Sequence, residues 1–174
     1  GRSGLCLAWS EMHWVDDLSE AWASEYPEAD TSWMLLISRL ARLSVLIDTF
    51  ANDTLEPFRL MQSDYAVLAA LRRVGPPYTL APNELYTGLE RSSGGMTKML
   101  RRLQDLGFVR RVNNPADKRS KLVRLTAAGK RVEEQAFEAF MTRAHELLGP
   151  LPDPTTINDS VESLVKLIED RYRG

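Results

Sequence analysis

Residues 91–131 read RSSGGMTKMLRRLQDLGFVRRVNNPADKRSKLVRLTAAGKR. This stretch holds twelve Lys or Arg and only two acidic residues, whereas the remaining 133 residues carry a net charge of −12. The whole chain has a net charge of −2, so its positive charge is concentrated in one segment. A separation of charge this steep within one chain predicts an element that binds a polyanion, carried on an otherwise acidic body.

The order of local patterns inside this stretch predicts a helix, a strand, a charged loop and a second strand. Ser92 or Ser93 can cap the helix, and Gly107 ends it. The segments 108–112 and 121–125 alternate basic and apolar residues with period two, as the half-buried strands of a hairpin do. A helix followed by such a hairpin is typical of a winged helix-turn-helix. In that fold the helix enters the DNA major groove and the hairpin reaches the backbone or the minor groove.

The segments on either side of this stretch predict further amphipathic helices. Spacing and capping signals place them at about 12–25, 31–50, 63–74, from 82 onward, 126–148 and 157–168. We therefore expect a mainly α fold, a winged helix-turn-helix with N- and C-terminal dimerisation helices and a small β-hairpin wing. The length fits a single domain over residues 1–174. Its expected parts are N-terminal helices at about 10–58, a DNA-binding core at about 60–126 and C-terminal helices at about 127–174.

The helix expected over residues 33–50 is apolar around most of its circumference. Its only charged residues are Arg39, Arg42 and Asp48. A helix of this kind is buried on more than one side, and a small domain rarely covers it alone. We therefore expect a second copy of the chain to cover it, which makes the protein a homodimer.

The spacing of apolar residues fixes which face of the basic helix points outward. Met96, Leu100 and Leu103 are spaced four and three apart and should face the core. The opposite face is polar and basic, and the residues of this helix expected to bind double-stranded DNA are Ser92, Ser93, Gly95, Thr97, Lys98, Arg101 and Arg102.

The positions along this face predict different roles. Gly94 and Gly95 have no side chains, so the start of the helix can approach DNA closely and offer its free N–H groups to a phosphate. Thr97 and Lys98 lie where base edges would be reached, and Arg101 and Arg102, further along, should contact the backbone. The alternative is an ordinary solvated face, but such faces usually mix charges for i,i+4 pairing, and the only acid on this helix is Asp105.

The loop NNPADKRS, residues 113–120, predicts the tip of the wing. Asp117, Lys118 and Arg119 are its expected DNA-binding residues. Asp117 and Arg119 are two residues apart, so a carboxylate–guanidinium pair can hold the shape of the loop, while a basic tip can enter a narrow minor groove. The alternative is an ordinary turn with a local surface salt bridge of little energetic value. The two interpretations are compatible.

Composition argues against other classes of protein. The chain has no apolar run of about 18 residues, as a membrane-spanning helix needs, and no signal-peptide pattern at its start. Its single cysteine, Cys6, allows no internal disulfide and no resolving thiol, so we expect a cytoplasmic protein in which Cys6 has no redox role. His13 and His145 lack metal-site spacing, and we expect no metal, no cofactor and no enzymatic activity.

Taken together, these motifs resemble the MarR family of bacterial transcription regulators. The segments 107–109 (GFV) and 125–129 (LTAAG) match family signatures, and the wing matches at Pro115, Asp117 and Arg119. The resemblance is strong over about residues 60–131. It implies an obligate homodimer that assembles through its terminal helices and binds a pseudo-palindromic operator. Most members are repressors that are released by a small ligand or by oxidation.

Within the family, the long first helix and the sequence from residue 62 to 80 resemble the branch that includes urate-responsive regulators. That branch uses a Trp, which Trp22 matches, together with an interacting Asp and Arg. The Asp position falls on Ala66 and the Arg position on Met99, so this charged pair is absent, although a second Arg position is kept as Arg111. The resemblance therefore implies the fold but not urate sensing.

The resemblance also implies an effector cleft between the dimerisation helices and the winged domain. The candidate effector-binding residues are Trp22, Trp33, Arg39, Tyr65 and Arg111. Arg39 would suit an anionic or phenolic ligand. The alternative is structural, because aromatic residues at helical spacing more often belong to a core, and Arg39 can pair across the dimer.

A second functional class stays open at this point. The winged helix could serve as a protein-interaction module whose basic face meets an acidic partner without reading DNA. The outward positions of Lys98, Arg101 and Arg119 favour a sequence-specific DNA-binding regulator, most simply a repressor. A salt titration of binding to duplex DNA separates the two hypotheses.

Overall fold

The computed structural model describes residues 14–88, 93–117 and 119–173. The side chains of 14–19, 86–88, 93–94 and 173 lie outside that description. The chain divides into two compact units, residues 1–57 and 58–174, and each is described separately below.

The first unit contains two helices that contact each other, α1 (Trp14–Glu25) and α2 (Ser32–Leu55). Asp30 caps α2, because its Oδ1 accepts hydrogen bonds from the backbone N–H of Ser32 at 3.0 Å and from the Ser32 hydroxyl at 2.6 Å. Thr31 is the N-cap residue and its side chain makes no cap hydrogen bond, so Asp30 supplies the capping side chain. The helix continues five residues past the predicted end at Phe50, to Leu55, and a short 3-10 helix, Glu56–Phe58, follows it.

The second unit contains the remaining elements. They are α3 (Gln62–Arg73), β1 (Thr79–Leu80), α4 (Pro82–Gly88), α5 (Ser93–Asp105), β2 (Val109–Asn113), β3 (Lys121–Leu125), α6 (Ala127–Leu148) and α7 (Pro154–Arg173). The three strands form one antiparallel sheet in the order β1-β3-β2. The predicted mainly α fold with a small hairpin is confirmed, and the predicted strand segments agree with β2 and β3 to within one residue.

The short strand β1 was not predicted. Its two residues pair with β3, Thr79 opposite Arg124 and Leu80 opposite Val123. Two residues are too few to show a periodic pattern, and β1 exists because β3 offers it a partner. Tyr78, with a φ of 57°, turns the chain into this register and accepts a hydrogen bond from the Leu125 N–H at 3.0 Å.

The core of the second unit is formed by apolar side chains of the helices α3, α4 and α5 and of the strands β2 and β3. Met96, Leu100 and Leu103 of α5 are all 0% exposed, which confirms the predicted inward face. Their partners in the core include Val67, Leu68 and Leu71 of α3, Leu85 of α4, Val109 of β2, and Val123 and Leu125 of β3. Each fully buried side chain of this size contributes about 1.5–3 kcal/mol to stability. This buried stripe fixes which residues of α5 face outward.

The end of α5 and the start of α6 are joined by a compact junction. Gly107, with a φ of 74°, ends α5 with the two hydrogen bonds of a Schellman motif, Phe108 N–H to Leu103 O and Gly107 N–H to Gln104 O, both 2.9 Å. Thr126 caps α6 by accepting from the Gly129 N–H at 2.9 Å, and its hydroxyl donates to Gly107 O at 2.7 Å. The hairpin therefore leaves and returns at one fixed point.

Gly129 at this junction provides a test of the packing. A Cβ added there would lie 2.0 Å from the carbonyl oxygen of Phe108, which is backbone and cannot move aside. We expect Gly129→Ala to lower the free energy of unfolding by about 2 kcal/mol or more, as overpacking does. Urea denaturation at one fixed protein concentration measures this change.

The matched control is Ala127→Gly in the same first turn of α6. Ala127 is exposed, so its replacement removes only helix propensity and should cost less than about 1 kcal/mol. A Gly129→Ala variant as stable as the native protein would show that the junction tolerates a wider separation than the structure has.

Candidate nucleic-acid interface

The outward face of α5 carries the residues that the sequence predicted there. Gly95, Thr97, Lys98 and Arg101 are all exposed, opposite the buried stripe. Ser92, and the side chain of Ser93, lie outside the described residues. Helix α5 is continuous from Ser93 to Asp105, so the exposed residues share one face of a single helix. The described part of α5 thus combines hydrogen-bond donors and positive charge on one surface.

Arg102 differs from the other basic residues of α5. Its Nε donates to Asp64 Oδ2 at 3.0 Å, and its Nη2 donates to the carbonyl oxygen of Arg59 at 3.0 Å. Asp105 is the only acid within α5, and the sequence therefore predicted a basic face without acidic partners. For Arg102 that prediction was wrong, because Asp64 of α3 supplies the carboxylate from 38 positions away. A capping-type acid in the first turn of α3 was the only sequence signal for it.

The loop between β2 and β3 is built by hydrogen bonds from side chains to the main chain. Asn114 accepts from the Ala116 N–H at 3.0 Å and donates to the Ser120 hydroxyl at 2.9 Å. Asp117 Oδ1 accepts from the backbone N–H of Arg119 at 2.9 Å. These contacts join the described residues of the loop in a small turn network.

The expected pairing of Asp117 with the Arg119 guanidinium needs correction. Asp117 contacts the main chain of Arg119, because a short carboxylate reaches the N–H two residues ahead of it most easily. The Arg119 side chain is exposed at the tip. Lys118 lies outside the described residues. The shape of the loop is therefore held without using the guanidinium group.

The sheet adds basic residues that the sequence analysis did not single out. Arg110 of β2 lies directly opposite Arg124 of β3, and like charges in this arrangement destabilise a sheet. Arg124 Nε donates to Thr79 Oγ1 of β1 at 2.9 Å, which fixes that side chain. At the base of the loop, Lys121 Nζ donates to Asn113 Oδ1. The alternating pattern of β2 and β3 was the sequence signal for this charged face.

A second group of charged residues connects α3 to α6. Arg72 Nε lies 3.5 Å from the Glu133 carboxylate, and the Tyr78 ring lies 5.5 Å from the Arg72 guanidinium and 5.2 Å from the Lys130 ammonium. Burial raises the pKa of Glu133, and the positive charge of Arg72 opposes that shift. The pKa of Tyr65 is also raised, chiefly by burial and further by the charge of Glu133. These contacts hold α3 and Tyr78 against the long helix α6.

The candidate effector-binding residues are divided between the two units. In the first unit, Trp22 is half-buried and stacks on Tyr26 with ring centroids 5.5 Å apart, Trp33 is 64% exposed, and Arg39 is exposed. In the second unit, Tyr65 is half-buried in α3 and Arg111 is exposed on β2. A cleft that brings them together stays a prediction.

Two kinds of feature are absent from the described part of the chain. No three His, Cys, Asp or Glu among them are grouped so that they could hold a metal ion. No helix among them is long and apolar enough to cross a membrane.

Comparison with known proteins identifies the family. The model of the MarR family matches residues 61–120. The chain is 30% identical over 139 residues to the HTH-type transcriptional regulator PecS of Dickeya dadantii, and the match covers 80% of this chain and 84% of PecS. The chain belongs to the MarR family. It is a DNA-binding transcriptional regulator.

Solved structures of family members share the fold. A MarR mutant from E. coli, crystallised in complex with operator DNA, superposes with a TM-score of 0.66 at 28% identity, covering 81% of this chain and 99% of that one. AbsC, a MarR family regulator from Streptomyces coelicolor, has a TM-score of 0.72 at 21% identity, covering 84% and 97%. The winged helix-turn-helix described above is therefore the fold of this family.

The position of Arg119 leads to a prediction for the wing. Arg119→Ala keeps the backbone N–H that Asp117 binds, so the loop should keep its shape while the exposed guanidinium is lost. We expect duplex affinity to fall by about 1–3 kcal/mol, the value of a base or minor-groove contact, with no change in thermal unfolding. Fluorescence anisotropy with labelled duplex measures the affinity.

Asp117→Ala is the companion variant. It removes the bond to the Arg119 N–H and should weaken binding in the same direction but less, by loosening the loop. Affinity that stays unchanged at physiological salt in Arg119→Ala would show that the wing does not touch DNA.

Proposed function

We propose that this regulator reads a pseudo-palindromic operator as a homodimer, with α5 in the major groove and the β2–β3 loop on the backbone or in the minor groove. It would act in the cytoplasm as a repressor that a small effector releases. The observation that carries the proposal is the outward face of α5, where Thr97, Lys98 and Arg101 are exposed above a fully buried apolar stripe.

The roles proposed along α5 follow from position. Thr97 and Lys98 lie about one turn from the start of the helix, where the side chains of a helix inserted into the groove meet base edges. Arg101 lies a further turn along, where the wall of the groove and its phosphates come closer. Both the concentration of positive charge in residues 91–131 and the exposed Arg119 support contact with the DNA backbone.

Each of the two units has exposed apolar residues that support a dimer of the whole chain. On α2, Ile37 is 65% exposed and Ile47 is 53% exposed. On α7, Val161, Val165 and Ile168 are each 45–47% exposed and follow one helical stripe, as the sequence predicted. Several exposed apolar side chains along one long helix mark an interface. A second copy of the chain fits best, because a symmetric dimer matches the symmetry of a palindromic operator.

The dimer leads to a mass prediction. Light scattering at micromolar concentration should give about twice the chain mass of 19.7 kDa. Ile37→Glu places a charge on the exposed apolar face of α2 and should shift the mass toward that of the monomer. A native protein that stays folded and monomeric would contradict the proposed architecture.

The proposed effector is a small anionic or phenolic molecule. Arg39 offers a positive charge, and Trp22, Trp33 and Tyr65 offer aromatic surface, with Arg111 as a further cation. The argument is chemical, since cations and aromatic rings are the groups that bind such ligands.

The experiment for DNA reading starts with in vitro selection of duplexes by the native protein from a random pool. We expect Lys98→Ala to relax sequence preference and to lower the ratio of selected to random affinity by about tenfold, the cost of one base contact. Arg101→Ala should instead weaken both duplexes equally and reduce the slope of log affinity against log salt by about one.

The two variants act as controls for each other, because both replace an exposed cation of the same helix. The opposite result, with Arg101 governing the ratio and Lys98 the slope, would mean that α5 lies rotated or shifted in the groove. If the native protein enriches no sequence at all, it does not read DNA and the interaction-module hypothesis is favoured.

A further inference from the structure

We infer that Arg102 holds the recognition helix α5 against the start of α3 and makes no contact with a DNA phosphate, although its place in the sequence suggested such a contact. The inference rests on the proposed function, since a recognition helix has to be held in register to read bases. It assigns to Arg102 and Asp64 together a role in operator specificity.

Two of the three nitrogens of the Arg102 guanidinium have different partners within the protein. Nε donates to the Asp64 carboxylate and Nη2 to the Arg59 carbonyl oxygen, each at 3.0 Å. The guanidinium group is planar and its donors are fixed relative to one another, so two such bonds set its orientation as well as its position. The side chain is 42% exposed, and its Nε and Nη2 both donate to acceptors of the protein.

Asp64 is committed to this contact. Its side chain is 1% exposed, and the same Oδ2 also accepts from the Met61 N–H at 3.0 Å, which caps α3. A carboxylate at this depth needs a positive partner, because burying an unpaired charge is costly. The only described ion pair of Asp64 is the one with Arg102. The guanidinium is therefore held by a requirement of the core, whether or not DNA is present.

The second acceptor lies in an unusual backbone segment. Arg59 has a φ of 59°, in the left-handed region that side chains other than glycine seldom adopt. Its carbonyl oxygen points to the Arg102 Nη2 in this conformation. One side chain of α5 thus stabilises both the strained residue that precedes α3 and the carboxylate that caps α3.

The position of Arg102 in α5 gives this contact its consequence. Thr97 and Lys98 lie about one turn before it on the same rigid helix. If the helix rotates or slides against α3, these side chains move away from the base edges, whereas contacts to the uniform phosphate backbone change less. Loss of the Arg102–Asp64 contact should therefore reduce specific binding more than random binding.

Four variants separate a positioning residue from a phosphate contact. Arg102→Ala removes all of its bonds. Arg102→Lys keeps the charge, which suffices for a phosphate, but cannot reproduce the two fixed donors. Asp64→Asn keeps an oxygen for the Met61 N–H and removes the charge. Arg101→Ala is the matched control, an exposed arginine next to Arg102 on the same helix.

Each variant is titrated at several salt concentrations against two duplexes, the sequence selected by the native protein and a scrambled version of it. Thermal unfolding is followed by circular dichroism, and titrations are run at a temperature where every variant is folded. A purely structural role would lower the unfolding temperature and leave the affinity ratio of the folded protein unchanged.

We expect Arg102→Ala and Arg102→Lys to lower the ratio of selected to scrambled affinity by about tenfold, comparable to losing one base contact, with an unchanged salt slope. Asp64→Asn should lower the ratio in the same direction. This variant keeps the proposal testable if Arg102→Ala does not fold, because a buried carboxylate cannot touch DNA and its loss of negative charge would otherwise favour binding.

Three results would overturn the inference. The first is a salt slope that falls by about one in Arg102→Ala and recovers in Arg102→Lys, as a phosphate contact requires. The second is an unchanged affinity ratio in Asp64→Asn, and the third is an unchanged ratio in both Arg102 variants with only a lower unfolding temperature. A native protein that selects no sequence would remove the proposed function itself, and the inference with it.

Discussion

The junction between α5 and α6 is the constraint on which the rest of the second unit depends. Thr126 caps α6, donates its hydroxyl to Gly107 O and donates its N–H to Phe108 O at 3.0 Å. The recognition helix, both strands of the wing and the long helix α6 therefore meet within a few residues. Only glycine fits at position 129, because the Phe108 carbonyl oxygen lies where a Cβ would be. The angle between α5 and the β2–β3 hairpin is set at this point.

The two faces of α5 illustrate how one helix serves both stability and recognition. Its inner face is an apolar stripe with no exposure, and its outer face is polar and basic. Arg102 lies on the outer face, but it differs from the other residues there because it bonds to the buried Asp64 of α3. A count of positive charges along the helix would treat all of its cations alike. The hydrogen bonds show that the cations of such a helix divide into those available to a partner and those used within the protein.

The Arg72–Glu133 pair gives α3 a second anchor, at its other end. There the Tyr78 ring lies near both Arg72 and Lys130, directly before the strand that joins the wing sheet. Helix α3 is thus held to α5 at its start by Asp64 and to α6 at its end by Arg72. Residues from the first turn and the last turn of one helix therefore link α5, the strand β1 and α6. The position of α6 is thereby tied to that of α5 through α3.

The sequence by itself determined the elements whose signals are local. The buried stripe of α5, the Gly107 stop, the two strands of the hairpin and the start of α6 near residue 126 all follow from spacing or from capping chemistry within a few residues, and the structure confirms them. The tertiary structure alone decided the contacts between residues far apart in the chain. Asp64 pairs with Arg102 across 38 positions, β1 forms only because β3 is beside it, and Asp117 binds the main chain of Arg119 in place of its guanidinium. No periodicity records such contacts, because they depend on which surfaces the packed helices bring together and on which of several reachable donors lies nearest.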